Sequence, residues 1–471
     1  MRSFWRIAKT ALVIDNNLLV SQLQGVKTML HTAAEVKEIL TKLIHHLKST
    51  KNLYVKNPEK DFTRERKLSF EKVITCLLGM GGGSLANELM DQFGCCADLV
   101  TVSAFIQQRN KLLPSALETL FHLFVEKSEC SSLYKGYRLL AVDGSALQIP
   151  TDKDDMDSFF PGASNKEPYN LLHLNAMYDL IAHTYTDAIL QKGRVRDEIR
   201  ALTDMVDRAV SSHPTILLAD RGFESYNVFA HVQEKGWHYL IRVKDGGVNG
   251  GIGHGLDLPS QDEFDVPIHL LLTRSQSKEN KKLLTNRNKY KHIHYSQNFD
   301  FLPQKVDSAT PALFYELSFR LVRFRLPNGT YETVITNLDP ESFPSIELKQ
   351  LYALRWGIEN SFRQLKHTVG LLHFHAKKAE FIQQEVFARL LMYNFTELIT
   401  ALAVIHRDDK RYTYQANFSV AMHICRLFIR SNTPSNPEIF IAKFITPIRP
   451  GRSAPRVRTA KSFANFSYRT A

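Results

Sequence analysis

The sequence predicts an α/β protein, and three features carry that prediction. Strand-like runs such as RLLAVDGSALQI (138–149) and TILLAD (215–220) are separated by RDEIRALTDMVDRAV (196–210), which has helical periodicity. The first 130 residues place apolar side chains almost only at helical spacing. The length of 471 residues exceeds what one hydrophobic core normally supports, so two or three domains are expected.

Residues 1–130 are expected to form a helical N-terminal DNA-binding region. Within it, Ser84–Phe93 and Val102–Leu112 are two short helical patterns separated by Gly94. They fit a helix-turn-helix whose second helix exposes Ser103, Gln107, Gln108, Arg109 and Lys111, and they fit an ordinary helical hairpin equally well. Gly81-Gly82-Gly83 lacks the preceding strand and the Gly-Lys-Ser/Thr ending of a phosphate loop, and reads as a turn before a helix cap.

Residues 137–245 form the first part of an α/β core. The run at 138–149 is expected to break at Asp143-Gly144, and NLLHLNAMYDLIAHTYTDAIL gives two strands joined near Ala182. A buried strand ends at Asp220, followed by a helix near Ser225–Lys235 and the strand WHYLIRVK. Residues 246–340 read as a β-rich insertion, with a basic stretch at 274–291 and two strands around Pro327-Asn328-Gly329. Residues 341–406 return to helix as the second part of the core, and 407–471 are a C-terminal region whose tail from Lys443 holds seven basic residues and no acidic one.

Composition narrows the function classes. Hydrophobic residues at 44% and charged residues at 23% exclude wholesale disorder. A net charge of +12 suits a polyanionic partner. The odd, sparse set Cys76, Cys95, Cys96, Cys130 and Cys425 gives neither a disulfide framework nor a zinc pattern, and Cys95 and Cys96 read as small buried residues. His373 and His375 have no cysteine nearby and read as packing or surface residues. No stretch reaches membrane-spanning length, so no membrane partner is expected and a cytoplasmic, DNA-associated location is.

Asp143 and Asp220 each stand at or beside the end of an expected strand, where open α/β sheets place ligand-binding groups. Two carboxylates brought together suit Mg2+ or Mn2+, which removes their mutual repulsion and can promote phosphoryl transfer. Taken singly, either aspartate could be a turn residue or helix cap. In LKQLYALRWGIENSFRQLKHTVG, read as one helix, Tyr352, Arg355, Glu359 and Lys366 fall at offsets of three, four and seven and share a face. On spacing alone, Arg355 and Glu359 could simply be a helical ion pair.

Taken together, these motifs resemble the DDE insertion-sequence transposases of insertion-sequence family four. The spacing of Tyr352, Arg355, Glu359 and Lys366 is similar to that family's tyrosine-arginine-glutamate-lysine signature, and VDGS and ADRGF are similar to the surroundings of its two catalytic aspartates. The resemblance runs from about Asp61 to Glu397 and includes SFEKVITCLLGMGGGSLANEL. It implies an RNase H-like core interrupted by a β-strand insertion, which the 138 residues between Asp220 and Glu359 would accommodate.

The resemblance further implies a reaction: metal-dependent cleavage at transposon ends and strand transfer into target DNA, on two Mg2+ ions with Mn2+ as substitute. Asp143, Asp220 and Glu359 would hold the metals, and Tyr352, Arg355 and Lys366 would contact DNA. The implied partners are double-stranded terminal inverted repeats and target DNA, bound by a homodimer because two ends must be joined. Relatives that form a hairpin intermediate hold a flipped base with an insertion aromatic; the tryptophans here, Trp5, Trp237 and Trp356, all lie outside the insertion, which leaves Tyr290, Tyr295 or another insertion aromatic as the alternatives and the hairpin step open. A nuclease or resolvase with the same core, and a catalytically inactive transposase-derived DNA-binding protein, are the competing readings.

Overall fold

A computed structural model describes residues 32–64, 66–128, 132–162, 167–245, 251–304, 313–405, 414–430 and 436–448. Cys130 and the tail beyond residue 448 lie outside them. In chain order the elements are α1 (Ala33–Ser49), α2 (Phe70–Gly79), α3 (Leu85–Phe93), α4 (Val102–Arg109), α5 (Ser115–Lys127), β1 (Arg138–Ile149), β2 (Phe159–Phe160), β3 (Tyr169–Asp179), β4 (Thr184–Lys192), α6 (Glu198–Arg208), β5 (Thr215–Ala219), α7 (Tyr226–Glu234) and β6 (His238–Val243). They continue as β7 (Phe264–Thr273), α8 (Lys278–Leu283), β8 (Tyr290–His292), β9 (Tyr315–Arg325), β10 (Tyr331–Thr336), α9 (Ser345–Ala353), α10 (Trp356–His367), α11 (Ala379–Ala401), β11 (Tyr414–Ala416), α12 (Phe418–Ile429), α13 (Pro437–Ile441) and β12 (Ile445–Pro447).

The chain divides into two compact units. The first comprises the described residues of Leu133–Asp143 and Asp197–Ile358; the second comprises the described residues of Gly25–Ser132, Gly144–Arg196 and Glu359–Ala471.

In the first unit the strands run in the order β1-β5-β6-β10-β9-β7-β8. β5 pairs in parallel with both β1 and β6, and all five of its residues, TILLA, are buried. A strand covered on both faces has no polar side to alternate with, hence the continuous apolar run. Strands of the 246–340 segment join this same sheet: β10 pairs antiparallel with β6, and β9 with β10 and β7. The β9–β10 turn closes with Leu326 N donating to Thr330 O (2.7 Å), and Gly329 there has φ 84°, a conformation open to glycine without strain.

The second unit is organised around α11, which packs against α2, α5, α12 and β4 and is buried on nearly every face. Its burial extends to polar positions, Gln384, Glu385, Arg389 and Asn394 among them, which find partners inside the unit. In this unit β3 pairs antiparallel with β2 and β4. Ser69, Ser84 and Thr101 cap α2, α3 and α4 by accepting backbone N–H bonds. Glu88 of α3 reaches back to accept from Gly83 N (2.8 Å), and a Cβ on Gly83 would lie 2.9 Å from its Oε1, so a side chain at 83 would have to shift this carboxylate. The three glycines therefore form a turn into a capped helix.

Four local expectations are corrected. β1 does not break at Asp143-Gly144 but continues to Ile149, extended backbone being compatible with both residues. The stretch read as one signature helix is two, α9 and α10. Around Leu354 and Arg355 the bonds tighten to the i→i+3 type, with Leu354 N donating to Leu351 O, Arg355 N to Tyr352 O and Gly357 N to Leu354 O. Cys95 and Cys96 are exposed, because Gly94 ends α3 at positive φ and turns the chain outward. Arg109 is 2% exposed and donates to Gln384 Oε1, Glu385 Oε1 and Phe381 O, so it is not on a DNA-reading face. Ser103 and Gln107 are exposed, and Gln108 and Lys111 half-buried.

Candidate active site

The first unit carries both aspartates. The β1–β5 register pairs Ala141 with Leu218. Asp143 and Asp220 each follow two residues later, and Asp220 keeps an extended backbone (φ −83°, ψ −179°) directly beyond β5. Side chains two apart share a face, so continuing this register sets the two carboxylates on one face of neighbouring strands, whose backbones lie about 5 Å apart. Both residues are half-buried.

The turn after Asp220 explains its motif. Asp220 Oδ1 accepts from Gly222 N (2.7 Å) and caps the short 3-10 turn Arg221–Phe223. A Cβ at position 222 would stand 2.9 Å from that same oxygen, so a larger residue there would push the carboxylate away. Capping and metal binding are compatible, because a carboxylate has two oxygens and about four lone-pair positions.

Tyr352 and Arg355 lie in the same unit, and each is 4% exposed. The Arg355 guanidinium carbon sits 5.9 Å from the Tyr352 ring centroid and 4.6 Å from that of Trp356. Burial lifts the Tyr352 phenol well above its ordinary pKa against the opposing pull of Arg355, while Glu332 and Asp220 push it further up. The phenol thus remains a hydrogen-bond donor. Glu332 of β10, 6% exposed, pairs with Arg242 Nε at 2.9 Å. Burial raises its pKa, and Arg242 and Arg355 hold it back. Glu332 is thus a buried carboxyl group interacting with both Arg242 and Arg355, and the strand run TYETVIT gave no sign of it.

Glu359 opens the last segment of the second unit and is half-buried in the first turn of α10. Lys366 stands seven residues further along α10 on nearly the same face, with Nζ donating to Ala146 O of β1 (3.2 Å). The stripe of four thus resolves into Tyr352 and Arg355 around the helix break, and Glu359 and Lys366 on α10. Among the described residues, no three His, Cys, Asp or Glu side chains are already grouped to hold a metal ion. The donor chemistry of Asp143 and Asp220 nevertheless fits a hard divalent cation: paired carboxylate oxygens without sulfur or imidazole.

The transposase DDE domain family matches residues 134–395, more than half of the chain, and all six residues above fall inside the match. The chain belongs to the DDE transposase family. The transposase InsG of insertion sequence element IS4 from Escherichia coli (strain K12) is 24% identical over 347 residues, covering 70% of this chain and 70% of that protein. A piggyBac transposase, solved in a synaptic complex with hairpin DNA, aligns over 87% of this chain and 84% of its own at 10% identity, with a TM-score of 0.43. This DDE transposase thus has the mixed α/β fold with a large sheet, and the family's chemistry depends on divalent metal. Among its described residues no helix is long and apolar enough to cross a membrane.

Proposed function

We propose that this transposase cuts transposon ends and joins them to target DNA through Asp143, Asp220 and Glu359, which hold Mg2+ ions within an RNase H-like core. The observation that carries the assignment is the parallel β1–β5 register, which pairs Ala141 with Leu218 and, continued by two residues, would bring Asp143 beside Asp220. When bound there, the metal supplies Lewis-acid activation of the attacking hydroxyl and stabilisation of the leaving oxygen. Asp143 would orient it from within β1 and Asp220 from the residue directly beyond β5, both more exact platforms than loops. Glu359, on α10, is proposed as the third ligand. Metal binding is read directly by electron paramagnetic resonance of Mn2+. The native protein is expected to bind it, and Asp143→Asn with Asp220→Asn to lose it; unchanged binding by the double variant would remove both residues from the ligand set.

For DNA, Lys366 is proposed as the phosphate-binding group in the arrangement described, acting as a point charge. Tyr352 and Arg355 are buried and are proposed to reach phosphate after side-chain movement on binding. The stretch at 274–291 divides. Arg274 is buried and donates to the carbonyls of His294, Gln297 and Phe299, so it serves the fold. Lys278, Lys281, Lys282, Arg287 and Lys289 are exposed and are proposed to track the DNA backbone. Neutralising one phosphate-binding cation lowers the log–log salt slope of DNA binding by about 0.9. Replacing Lys281, Lys282 and Lys289 with glutamine is expected to flatten the slope accordingly in a binding titration, and an unchanged slope would exclude this stretch. A homodimer is proposed on paired ends, and sizing of the end complex tests it.

A further inference from the structure

The second unit holds α10 by directional bonds on the side away from Glu359. Tyr185 of β4, 0% exposed, shares a hydrogen bond with Ser361 Oγ at 2.8 Å. Tyr393 of α11, 1% exposed, donates to Gln364 Oε1 at 2.9 Å. Ser361 and Gln364 are one turn apart on one face of α10. At about 100° per residue, Glu359 and Lys366 project roughly 180° from the midpoint of that pair. The tyrosines are themselves fixed. Asn394 accepts from Tyr185 N and donates to Tyr185 O, both at 2.7 Å. The Tyr185 and Tyr393 ring centroids are 5.0 Å apart, and the Tyr393 hydroxyl also meets that of Tyr178 at 3.3 Å.

Apolar packing of Phe362 and Leu365 buries α10 but is non-directional and leaves its rotation loosely set. Two hydrogen bonds one turn apart fix both rotation and axial position. A rotation of about 20° would sweep a glutamate carboxylate by roughly 2 Å, and displacement of a reacting group by about 1 Å can cost on the order of 10²-fold in rate. We infer that Tyr185 and Tyr393 are positioning residues for the transposition reaction, bracing α10 from behind so that Glu359 and Lys366 meet metal and DNA at a set angle. The inference rests on the assignment of Glu359 above.

The test uses the full chain with its own element ends and Mg2+, comparing Tyr185→Phe, Tyr393→Phe, the double variant, Ser361→Ala and Glu359→Ala. Phenylalanine keeps the ring packing and removes only the hydroxyl. The double variant is expected to bind ends as the native protein does, to cleave about 10- to 100-fold more slowly at saturating DNA, and to need about 10-fold more Mg2+ for half its maximal rate. Ser361→Ala should show the same shift in smaller measure, which keeps the test alive if the double variant does not fold. A purely structural role would lower the amount of folded protein without moving the Mg2+ requirement, and that outcome overturns the inference. So does native cleavage by the double variant beside an inactive Glu359→Ala. Native cleavage by Glu359→Ala would instead remove the metal assignment, and the purpose of the brace with it.

Discussion

Replacing Asp143 or Asp220 with asparagine is expected to lower end cleavage by roughly 10³-fold or more, about 4 kcal/mol of transition-state stabilisation, with little change in folding or end binding. Asparagine keeps the size and hydrogen-bonding shape of aspartate and removes the charge. At Asp220 it can still cap the Arg221–Phe223 turn, so local structure should survive while metal affinity falls. Gly222→Ala gives a graded companion, since its Cβ would meet Asp220 Oδ1 at 2.9 Å and displace the carboxylate while leaving its charge. A single-turnover cleavage assay ranks the three. Near-native cleavage by Asp220→Asn would show that the residue is a cap and nothing more.

The second large effect is on stability. Glu385 and Arg109 form an ion pair of 2.9 Å with side chains 1% and 2% exposed, and Arg389 Nη2 meets the other Glu385 oxygen at 3.2 Å. His375 N also donates to Glu385 Oε2 at 3.0 Å, and Arg389 reaches the carbonyls of Gly81, Gly370 and His373. Removing one partner strands buried charge, so Glu385→Ala is expected to cost about 3–5 kcal/mol. The titration of Glu385 gives a similar magnitude. Burial alone would raise its pKa, but Arg109, the His375 hydrogen bond and Arg389 together bring it down from 4.5 to about 2. A depressed carboxylate stabilises the fold above its unfolded pKa, and that contribution, about 3 kcal/mol, is lost as pH falls from about 4.5 through about 2. Thermal melts should show native protein losing stability over this window and Glu385→Gln losing less. Parallel pH profiles for the two would discard this account of the cluster.

The strands that carry the candidate aspartates were legible in the sequence, for local reasons. TILLAD and RLLAVDGS announce buried strands by unbroken apolar runs, and an aspartate at the edge of each marks the point where side chains become polar. The glycine after Asp220-Arg221 now has a steric cause. Other features depend on residues distant along the chain. Nothing near Arg109 reveals that Gln384 and Glu385, 275 and 276 residues away, bury its guanidinium, so an exposed basic helix face was the natural reading. The break at Leu354–Arg355 is equally hidden, because the flanking sequence holds no proline and Gly357 alone does not force it. The tyrosine brace has no sequence signature, since Tyr185 and Tyr393 sit among ordinary core residues and only packing shows which helix they meet.

The most direct test of the account is cleavage and joining by the purified native protein on DNA carrying its own element ends. With Mg2+, nicked ends and strand-transfer products should form together, and both should vanish on chelation. Tight end binding without nicking or joining, in Mg2+ and in Mn2+, would contradict the account and favour a catalytically inactive DNA-binding descendant of the family.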